Sequence, residues 1–586
     1  MIYLRNSRLF YKGMYEEESE ETILDRLRLL PQVVTVDAET VSTSDQTVIG
    51  YALGLSEVEA YYCPVFPVPA TGEWQKFFAD VVADSSVRQC YHNGNFDLEA
   101  LRTFAIQNNY EEPNIDDFED TSIMARVSGF DAGLEQLGVK LFKFVHLFSI
   151  PDLLNEARET LGKKVVNMLD VPMERVALKC LNDVTTTYTA YNYFQVVMEY
   201  LPGIRESYDV DVECLSYLKH VQQEGLGLDK PVLKRHDELL KGHINRLKEL
   251  CDFEYGMNPG SWQQVAIVLG MNGVVLPMNR KRTAPTANKE ALMGVRHSIA
   301  GLVLAYRGMA KTHSTYVVPW LDSDRAYTHF RLDLSTGRLG SYDRNLQNIP
   351  PQMREVFEPD TGIYSWADMS QVELRVFAYM TKDPIMMEAY QKGYDVHGIT
   401  QQALWPGSDP KDDNFRRKAK IFNFAMIYYG TSDTLAKRTG LPYQVADEMR
   451  LRWLALYHVG AAWMDKMFEG RYEYVEDIFG RRMKIKTDDE IYAEMAELIA
   501  AGKEVKSFQS YQNHVRRTQV NYPIQASAAS LNKRGLNMCK EWGMPTRLQV
   551  HDEIVWDGDV EVPEELNWIH PDLYTPFELK KGRKWN

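Results

Sequence analysis

Two segments that lie far apart in the chain each carry an aspartate at the end of a strand-forming run. Residues 366–375 read WADMSQVELR, with Asp368 closing an apolar run and Glu373 opening a helical pattern. Residues 547–556 read RLQVHDEIVW and predict a tight hairpin with Asp552 at its tip. Two carboxylates brought side by side repel unless cations neutralise them. The pattern therefore predicts a fold that joins these strands around a pair of divalent metal ions.

The chain has 586 residues, too many for one hydrophobic core, so we expect several domains. Its hydrophobic fraction of 45% and charged fraction of 25% are typical of a water-soluble protein, and no apolar run is long enough to span a membrane. Six scattered cysteines without a CxxC pair, and an N-terminus without a signal-peptide core, predict a cytoplasmic location. The net charge of −16 means that any nucleic-acid contact must come from local basic clusters.

The pattern of the chain changes near residue 205. Before it, strand-like runs such as QVVTVDAE alternate with helical stretches, which is an α/β pattern. A break at residues 201–203, Leu-Pro-Gly, is a plausible boundary. After it, residues 230–251, 395–441 and 515–542 read mainly as helix. We expect an N-terminal α/β domain followed by a larger, mixed domain.

A segment rich in cations and aromatic residues, RRKAKIFNFAMIYYG, occupies residues 416–430. Arg416, Lys420, Phe424 and Tyr428 recur every four residues, which predicts one stripe along a helix. Cations followed by flat rings suit a nucleoside triphosphate. An ordinary amphipathic helix, with its aromatics in the core and its cations in solvent, accounts equally well for the pattern.

Two further groups of residues are candidates for binding DNA or metal. Arg517, Asn521 and Gln525 also recur every four residues and offer hydrogen-bond donors suited to the minor-groove edge of a base pair. In VVTVDAET, Asp37 and Glu39 fall on one face of a strand, because side chains alternate along it. A lone DxE is usually structural, and it would need two more acids to hold a pair of metals.

Taken together, these segments resemble the motifs of family A DNA polymerases, the bacterial DNA polymerase I group and its phage relatives. WADMSQVELR resembles the first palm motif, the 416–430 segment the fingers helix, and LQVHDEIV the second carboxylate motif. TGRLGSYDRNLQNIP, YDVHGIT and LAYRGMAKTHSTY match as well, and nearly the whole chain after residue 205 is covered.

The resemblance implies an N-terminal nuclease domain followed by a polymerase domain with right-hand architecture. Residues 1–205 would form an α/β 3′→5′ exonuclease domain with an RNase H-like mixed sheet. Residues 206–586 would form an α+β polymerase domain. In it the thumb would span about 228–316, the palm about 317–385 and 516–586, and the fingers about 386–515.

The resemblance also implies roles for the candidate residues. Asp368 and Asp552 would hold two Mg²⁺ ions, for which Mn²⁺ could substitute, and Lys420 would also protonate the leaving group. The residues that bind the incoming dNTP would be His397, Arg416, Lys420, Phe424, Tyr428 and Glu373, the last of which would exclude a ribose 2′-hydroxyl. The residues that touch primer-template DNA would be Arg338, Arg517, Asn521 and Gln525. Glu553 would be a lesser member of the site.

In the N-terminal domain, residues 93–97, NGNFD, resemble the second exonuclease motif, and Asp183 falls where the third motif has its acid. The implied ligands of a second pair of metals are Asp37, Glu39, Asp97 and Asp183. Because this set is complete, we expect an active proofreading nuclease. Two positions depart from the family. Lys179 replaces the usual tyrosine of the third motif, and Tyr428 is followed by Tyr429 before the glycine, although the four-residue spacing favours Tyr428 as the ring that closes on the base pair.

The sequence as a whole predicts a monomeric, template-directed DNA polymerase with proofreading. We expect neither a 5′-nuclease domain nor a thioredoxin-binding insertion, which favours phage genome replication, with a helicase-primase and a single-strand binding protein as possible partners. Residues 483–515 are either an insertion that binds DNA or a partner, or an extended helix. A single-subunit RNA polymerase, which Glu373 argues against, and a catalytically impaired primer-template binding subunit are the alternatives.

Overall fold

The computed structural model describes residues 4–6, 15–17, 30–43, 45–66, 72–143, 149–164, 166–279, 283–342, 344–503 and 505–585. The strands of the N-terminal part are β1 (Leu4–Asn6), β2 (Tyr15–Glu17), β3 (Val33–Thr40), β4 (Val48–Gly54), β5 (Ala60–Pro64), β6 (Arg88–Tyr91) and β7 (Phe118–Asp120). Its helices are α1 (Gly72–Ala83), α2 (Gly94–Asn108), α3 (Thr121–Val127), α4 (Leu134–Gln136), α5 (Ile150–Leu161) and α6 (Met173–Tyr200).

The strand β3 lies at the centre of a five-stranded sheet with the order β5-β4-β3-β6-β7. It pairs antiparallel with β4 and parallel with β6, so the sheet is mixed. The helix α6 packs against both β3 and β4. Every residue of β4, VIGYALG, is buried, which suits a continuous apolar strand covered on both faces. This arrangement brings one face of α6 against the strand that carries Asp37 and Glu39.

The helix break between the two parts lies at Leu201, and helix α7 (Pro202–Glu224) follows at once. The predicted division after residue 205 therefore falls within the first turn of α7. This helix packs along the last long helix of the chain, where buried Asp211 forms ion pairs with Arg481 and Lys533. A buried carboxylate with two cationic partners is satisfied, and it ties α7 to the C-terminal part.

Four helices follow as a separate helical unit: α8 (Lys230–Tyr255), α9 (Trp262–Met271), α10 (Lys289–Met293) and α11 (Ser298–Thr312). The long helix expected from Lys230 is confirmed. The unit has its own apolar cluster, which includes Cys251, Leu269 and Val303. It occupies the span expected for a thumb.

The C-terminal part is built around a four-stranded antiparallel sheet. Its strands and the smaller ones nearby are β8 (Leu226–Leu228), β9 (Arg325–Ala326), β10 (His329–Arg331), β11 (Gly340–Tyr342), β12 (Phe357–Glu358), β13 (Tyr364–Met369), β14 (Tyr474–Glu476), β15 (Arg482–Lys484), β16 (Thr546–Val550), β17 (Glu553–Asp557) and β18 (Phe577–Gly582). The order of the large sheet is β16-β17-β13-β18.

Helices cover this sheet and extend beyond it. They are α12 (Val372–Thr381), α13 (Pro384–Lys392), α14 (Val396–Leu404), α15 (Asp413–Met426), α16 (Ser432–Thr439), α17 (Tyr443–Leu456), α18 (His458–Glu469), α19 (Asp488–Ala500) and α20 (Phe508–Glu541). Short helical turns lie at Leu137–Leu141, Met168–Asp170, His313–Val317, Val318–Trp320, Leu346–Asn348, Pro351–Val356 and Glu564–Trp568. Within the described residues, no helix combines the length and apolar character needed to cross a membrane.

Candidate functional site

The two palm-segment aspartates meet at one end of the four-stranded sheet. β13 and β17 pair so that Asp368 lies opposite Glu553, and the backbone N–H of Met369 donates to the carbonyl of Asp552 at 3.1 Å. Asp552 follows His551, which has a left-handed φ of 58° and forms with it the tip of the predicted hairpin. The strand register and the turn together hold the carboxylates of Asp368 and Asp552 in hydrogen-bonding contact.

Burial and like charge perturb this pair. The pKa of Asp368 is raised from its usual 3.8 to about 7, first by burial and then by the charge and hydrogen bond of Asp552. Glu553 has other partners. Its Oε1 accepts hydrogen bonds from Trp585 Nε1 at 2.9 Å and from Arg354 Nη1 at 3.4 Å. The carboxylates of Asp368 and Asp552 therefore favour either a shared proton or a bound cation. Carboxylate oxygens are the ligands that Mg²⁺ prefers.

Both aspartates line a cleft of about 410 Å³ between the sheet, α15 and α20. Its lining combines carboxylates, cations and amides with apolar side chains. The lining residues are Arg338, Leu339, Asp368, Gln371, Val372, Glu373, Lys420, Phe424, Ala528, Ala529, Asn532, Gln549, His551 and Asp552. The structure thus brings Asp368, Asp552, Glu373, Lys420, Phe424 and Arg338 into one cavity.

The helix α15 carries part of the predicted stripe, but the stripe is shorter than expected. The helix ends at Met426, so the prediction that Tyr428 continues it is wrong. Tyr429 instead adopts a left-handed φ of 55°, and the N–H of Gly430 returns to the carbonyl of Ala425 at 2.9 Å. This is the hydrogen-bond pattern of a helix C-cap, with a tyrosine where glycine is usual.

The two tyrosines beyond the helix face different surroundings. Tyr428 lies close enough to Glu373 for the charge of that carboxylate to act on it, and its burial raises the pKa of its phenol well above the usual value. Tyr429 donates its hydroxyl to Asp465 at 2.9 Å and stacks on Phe468, with ring centroids 4.4 Å apart. The tyrosine beside the cleft is therefore Tyr428.

Two of the predicted phosphate-binding residues do not line the cleft. Arg416 is exposed and donates to Asp395 at 2.8 Å. His397 is 2% exposed, and burial lowers the pKa of its imidazole to about 4, so the ring is neutral at pH 7. Its Nδ1 is 2.9 Å from Asn423 Nδ2. Lys420 is the member of this set that is exposed within the cavity.

The predicted DNA-binding residues of α20 lead toward the cleft without entering it. Arg517, Asn521 and Gln525 are half-buried on α20, and the same helix supplies Ala528, Ala529 and Asn532 to the cavity wall. Residues spaced by three and four share a face of a helix. The fourth candidate, Arg338, lies in the cavity and forms an ion pair with Glu373.

Sequence reasoning missed an amide network beneath the hairpin tip. Gln549 Nε2 donates to Asn532 Oδ1 at 3.0 Å and to the carbonyl of His551, and Gln347 donates to Gln549 Oε1 at 2.7 Å. The network fixes the turn that presents Asp552. A signal was available, because Gln549 stands between the apolar Leu548 and Val550, two residues before His551.

A second acidic centre lies in the N-terminal part. Asp37 and Glu39 project from β3, Asp97 from the first turn of α2 and Asp183 from α6. Asp97 accepts from the N–H of Ala38 at 3.2 Å. The structure therefore brings all four predicted acids together, although they come from three elements.

Burial dominates the electrostatics of this centre. It raises the pKa of Asp37 to about 7, while the charge of Lys179 opposes the shift and those of Glu39 and Asp183 add to it. Burial and the charge of Asp37 likewise raise the pKa of Asp97. The oxygen-rich donor set fits a divalent cation, but Lys179 lies inside it, 2.6 Å from Glu39 Oε1 and 2.7 Å from Asp183 Oδ2.

Comparisons with known proteins agree on one family. A sequence model of DNA polymerase family A matches residues 230–571. DNA polymerase I of Chloroflexus aurantiacus is 28% identical over 622 residues, which cover 96% of this chain and 62% of that protein. The thermostable DNA polymerase I of Thermus aquaticus is 30% identical over 414 residues, which cover 64% of this chain and 47% of that protein.

The chain therefore spans about half to three fifths of the length of these curated relatives. Among solved structures, the POL domain of Pol1 from M. smegmatis, in complex with DNA primer-template and dNTP, has a TM-score of 0.69 and 19% sequence identity. The match covers 97% of this chain and 98% of that one. The shared fold includes the right-hand arrangement around the four-stranded sheet.

Proposed function

This chain belongs to DNA polymerase family A, and on that premise we propose that it is a template-directed DNA polymerase that adds dNTPs to a primer 3′-hydroxyl. The observation that carries the proposal is the meeting of Asp368 and Asp552 in a cleft that also holds Lys420. Similarity to DNA polymerase I proteins supports the choice of DNA synthesis.

Asp368 and Asp552 would hold the metal ions of this site. When bound there, Mg²⁺ would lower the pKa of the primer 3′-hydroxyl and neutralise charge on the triphosphate. The carboxylates suit that task because burial and mutual repulsion raise the pKa of Asp368 to about 7. Because two ionised carboxylates repel each other at this distance, Asp368 and Asp552 favour a bound cation.

The walls of the cleft would bind and orient the nucleotide. Lys420 presents an exposed ammonium to the triphosphate, and Phe424 lies one turn further along α15 as a flat wall for the base or sugar. Glu373, in the first turn of α12, lines the same cleft, where its carboxylate would meet a 2′-hydroxyl. The face of α20 that carries Arg517, Asn521 and Gln525 would support the primer-template end.

Primer extension tests this function directly. The full chain, a primed template, Mg²⁺ and dNTPs should give products of template-directed sequence, and a metal chelator should stop the reaction. Failure to extend any primer with Mg²⁺ or Mn²⁺ would overturn the proposal and favour a subunit that only binds primer-template. Equal use of NTPs and dNTPs would instead favour an RNA polymerase.

We also propose that the acidic centre of the N-terminal part is a 3′→5′ exonuclease site. The specific observation in its favour is that Asp37, Glu39, Asp97 and Asp183 meet although they are distant in sequence. Degradation of a single strand in the absence of dNTPs measures this activity. Its loss in Asp37→Asn, with extension intact, is the expected result.

A further inference from the structure

The most unusual group of the N-terminal acidic centre is a buried lysine. Lys179 is 8% exposed, and its Nζ donates to Glu39 Oε1 at 2.6 Å and to Asp183 Oδ2 at 2.7 Å. Lys179 and Asp183 are one turn apart on α6, so the helix itself holds the ammonium beside the second carboxylate. Both distances are those of strong, charge-assisted hydrogen bonds.

A divalent cation that used the same two carboxylates would compete directly with this ammonium. Mg²⁺ binds oxygen at about 2.0–2.1 Å, and two like charges separated by a few ångströms in a buried site repel strongly. Removing the ammonium to admit the ion would in turn leave a buried lysine without a partner. Glu39 and Asp183 therefore already share one positive charge that the protein itself supplies.

The other two acids have different partners. Asp97 accepts from the N–H of Ala38, and Asp37 Oδ2 accepts from the Cys180 thiol at 3.1 Å. In the described part of the chain, no lysine or arginine forms an ion pair with Asp37 or Asp97. These two carboxylates thus lack the cationic partner that Glu39 and Asp183 have, and they are the pair left for a metal ion.

We propose that Lys179 stands in for one of two divalent cations, so that this centre binds a single metal ion at Asp37 and Asp97. The inference rests on the proposed nuclease function, which it deepens by fixing the metal content of the site. Lys179 acts as a positioning residue that holds Glu39 and Asp183 and supplies positive charge. With four ionised carboxylates, one lysine and one divalent ion leave a single negative charge, which is far less than the bare site carries.

Counting bound Mn²⁺ by electron paramagnetic resonance tests the proposal. The parent protein is the full chain with Asp368→Asn and Asp552→Asn, which removes the palm ligands. We expect one ion per parent chain and two after Lys179→Met. The matched control is Lys76→Met, because Lys76 forms the same four-residue pair with Asp80 on the exposed face of α1, and it should leave the count at one.

Two ions in the parent, or none, would overturn the inference. So would a single ion that survives Asp37→Asn, because it would be bound elsewhere. The parent count decides the matter even if Lys179→Met fails to fold, and Lys179→Tyr provides a second variant with a neutral side chain. One bound ion without degradation of single strands by the unmodified chain would support the inference while rejecting the nuclease function.

Discussion

The guanidinium of Arg338 forms an ion pair with the carboxylate of Glu373 at the edge of the palm cleft. The side chain of Glu373 is 13% exposed and that of Arg338 is 44% exposed, so the arginine shields the acid from solvent. Because Glu373 is the side chain expected to meet a 2′-hydroxyl, Glu373→Ala should raise the use of ribonucleotides relative to dNTPs. We expect at least about a tenfold increase, equivalent to about 1.4 kcal/mol, measured in competitive primer extension.

Arg338→Met should raise the same ratio by a smaller factor, because Glu373 stays but loses the partner that orients it. Glu388→Ala is the control, since Glu388 is an exposed acid paired with Lys392 on a neighbouring helix. An unchanged ratio in Glu373→Ala would contradict the assigned role of this residue.

The two acidic centres should be separable by mutation. Asp552→Ala should reduce extension by at least about a hundredfold, because loss of a group that only supports a metal ligand already costs about tenfold to a hundredfold, while degradation of single strands persists. Asp37→Ala should do the reverse. Each change removes one of several crowded carboxylates, so Tm should hold or rise. Loss of both activities in a folded variant would mean that the two centres do not act independently.

The raised pKa of Asp368 predicts a dependence of stability on pH in the metal-free protein. The pKa of Asp368 is about 7 in the folded chain, instead of its usual 3.8. Between about pH 4 and about pH 7 the folded chain therefore binds more protons than the unfolded chain. The free energy of unfolding should therefore fall as pH rises through this window and level off above it. Asp368→Asn should show a shallower fall when Tm is measured in a chelating buffer.

Mg²⁺ should restore the free energy of unfolding that the native protein loses by about pH 8, and should do so much less in Asp368→Asn. The reason is that a ligand stabilises only the folded state that binds it. The perturbed Asp37 contributes to both proteins alike and cancels in the comparison. Identical pH profiles for the two proteins would show that Asp368 is not perturbed.

Strand patterns and short motifs were sufficient to predict how the palm carboxylates meet. The run before Asp368 and the alternation on both sides of Asp552 each predict a strand, and a two-residue turn fixes the register locally. The C-terminal strand β18 was not predicted, because three of the six residues of FELKKG are charged. It becomes a strand by pairing with the edge of β13, where Glu578 lies opposite Asp368.

Side-chain partners were harder to predict than elements. The ion pairs of Lys179 depend on β3 and α6 packing together, and Lys179 is 140 residues from Glu39 in the chain. The resemblance implied that His397 binds the dNTP, but packing buries it beside Asn423 and keeps its ring neutral. The end of α15 was misplaced because a non-glycine residue, Tyr429, takes the left-handed position that usually marks a helix end.

The adjacent tyrosines offer a matched test of the nucleotide site. Tyr428→Ala should lower kcat/KM for dNTP incorporation by at least about tenfold, because it removes a ring held beside Glu373 at the cleft. Tyr429→Ala should leave kcat/KM nearly unchanged but lower the free energy of unfolding by about 0.5–1.5 kcal/mol, the value of an aromatic pair, since it loses its stack on Phe468. Single-nucleotide kinetics and chemical denaturation measure the two effects. The opposite pattern would assign the closing ring to Tyr429, and equal kinetic losses would mean that the whole turn, not one ring, forms the site.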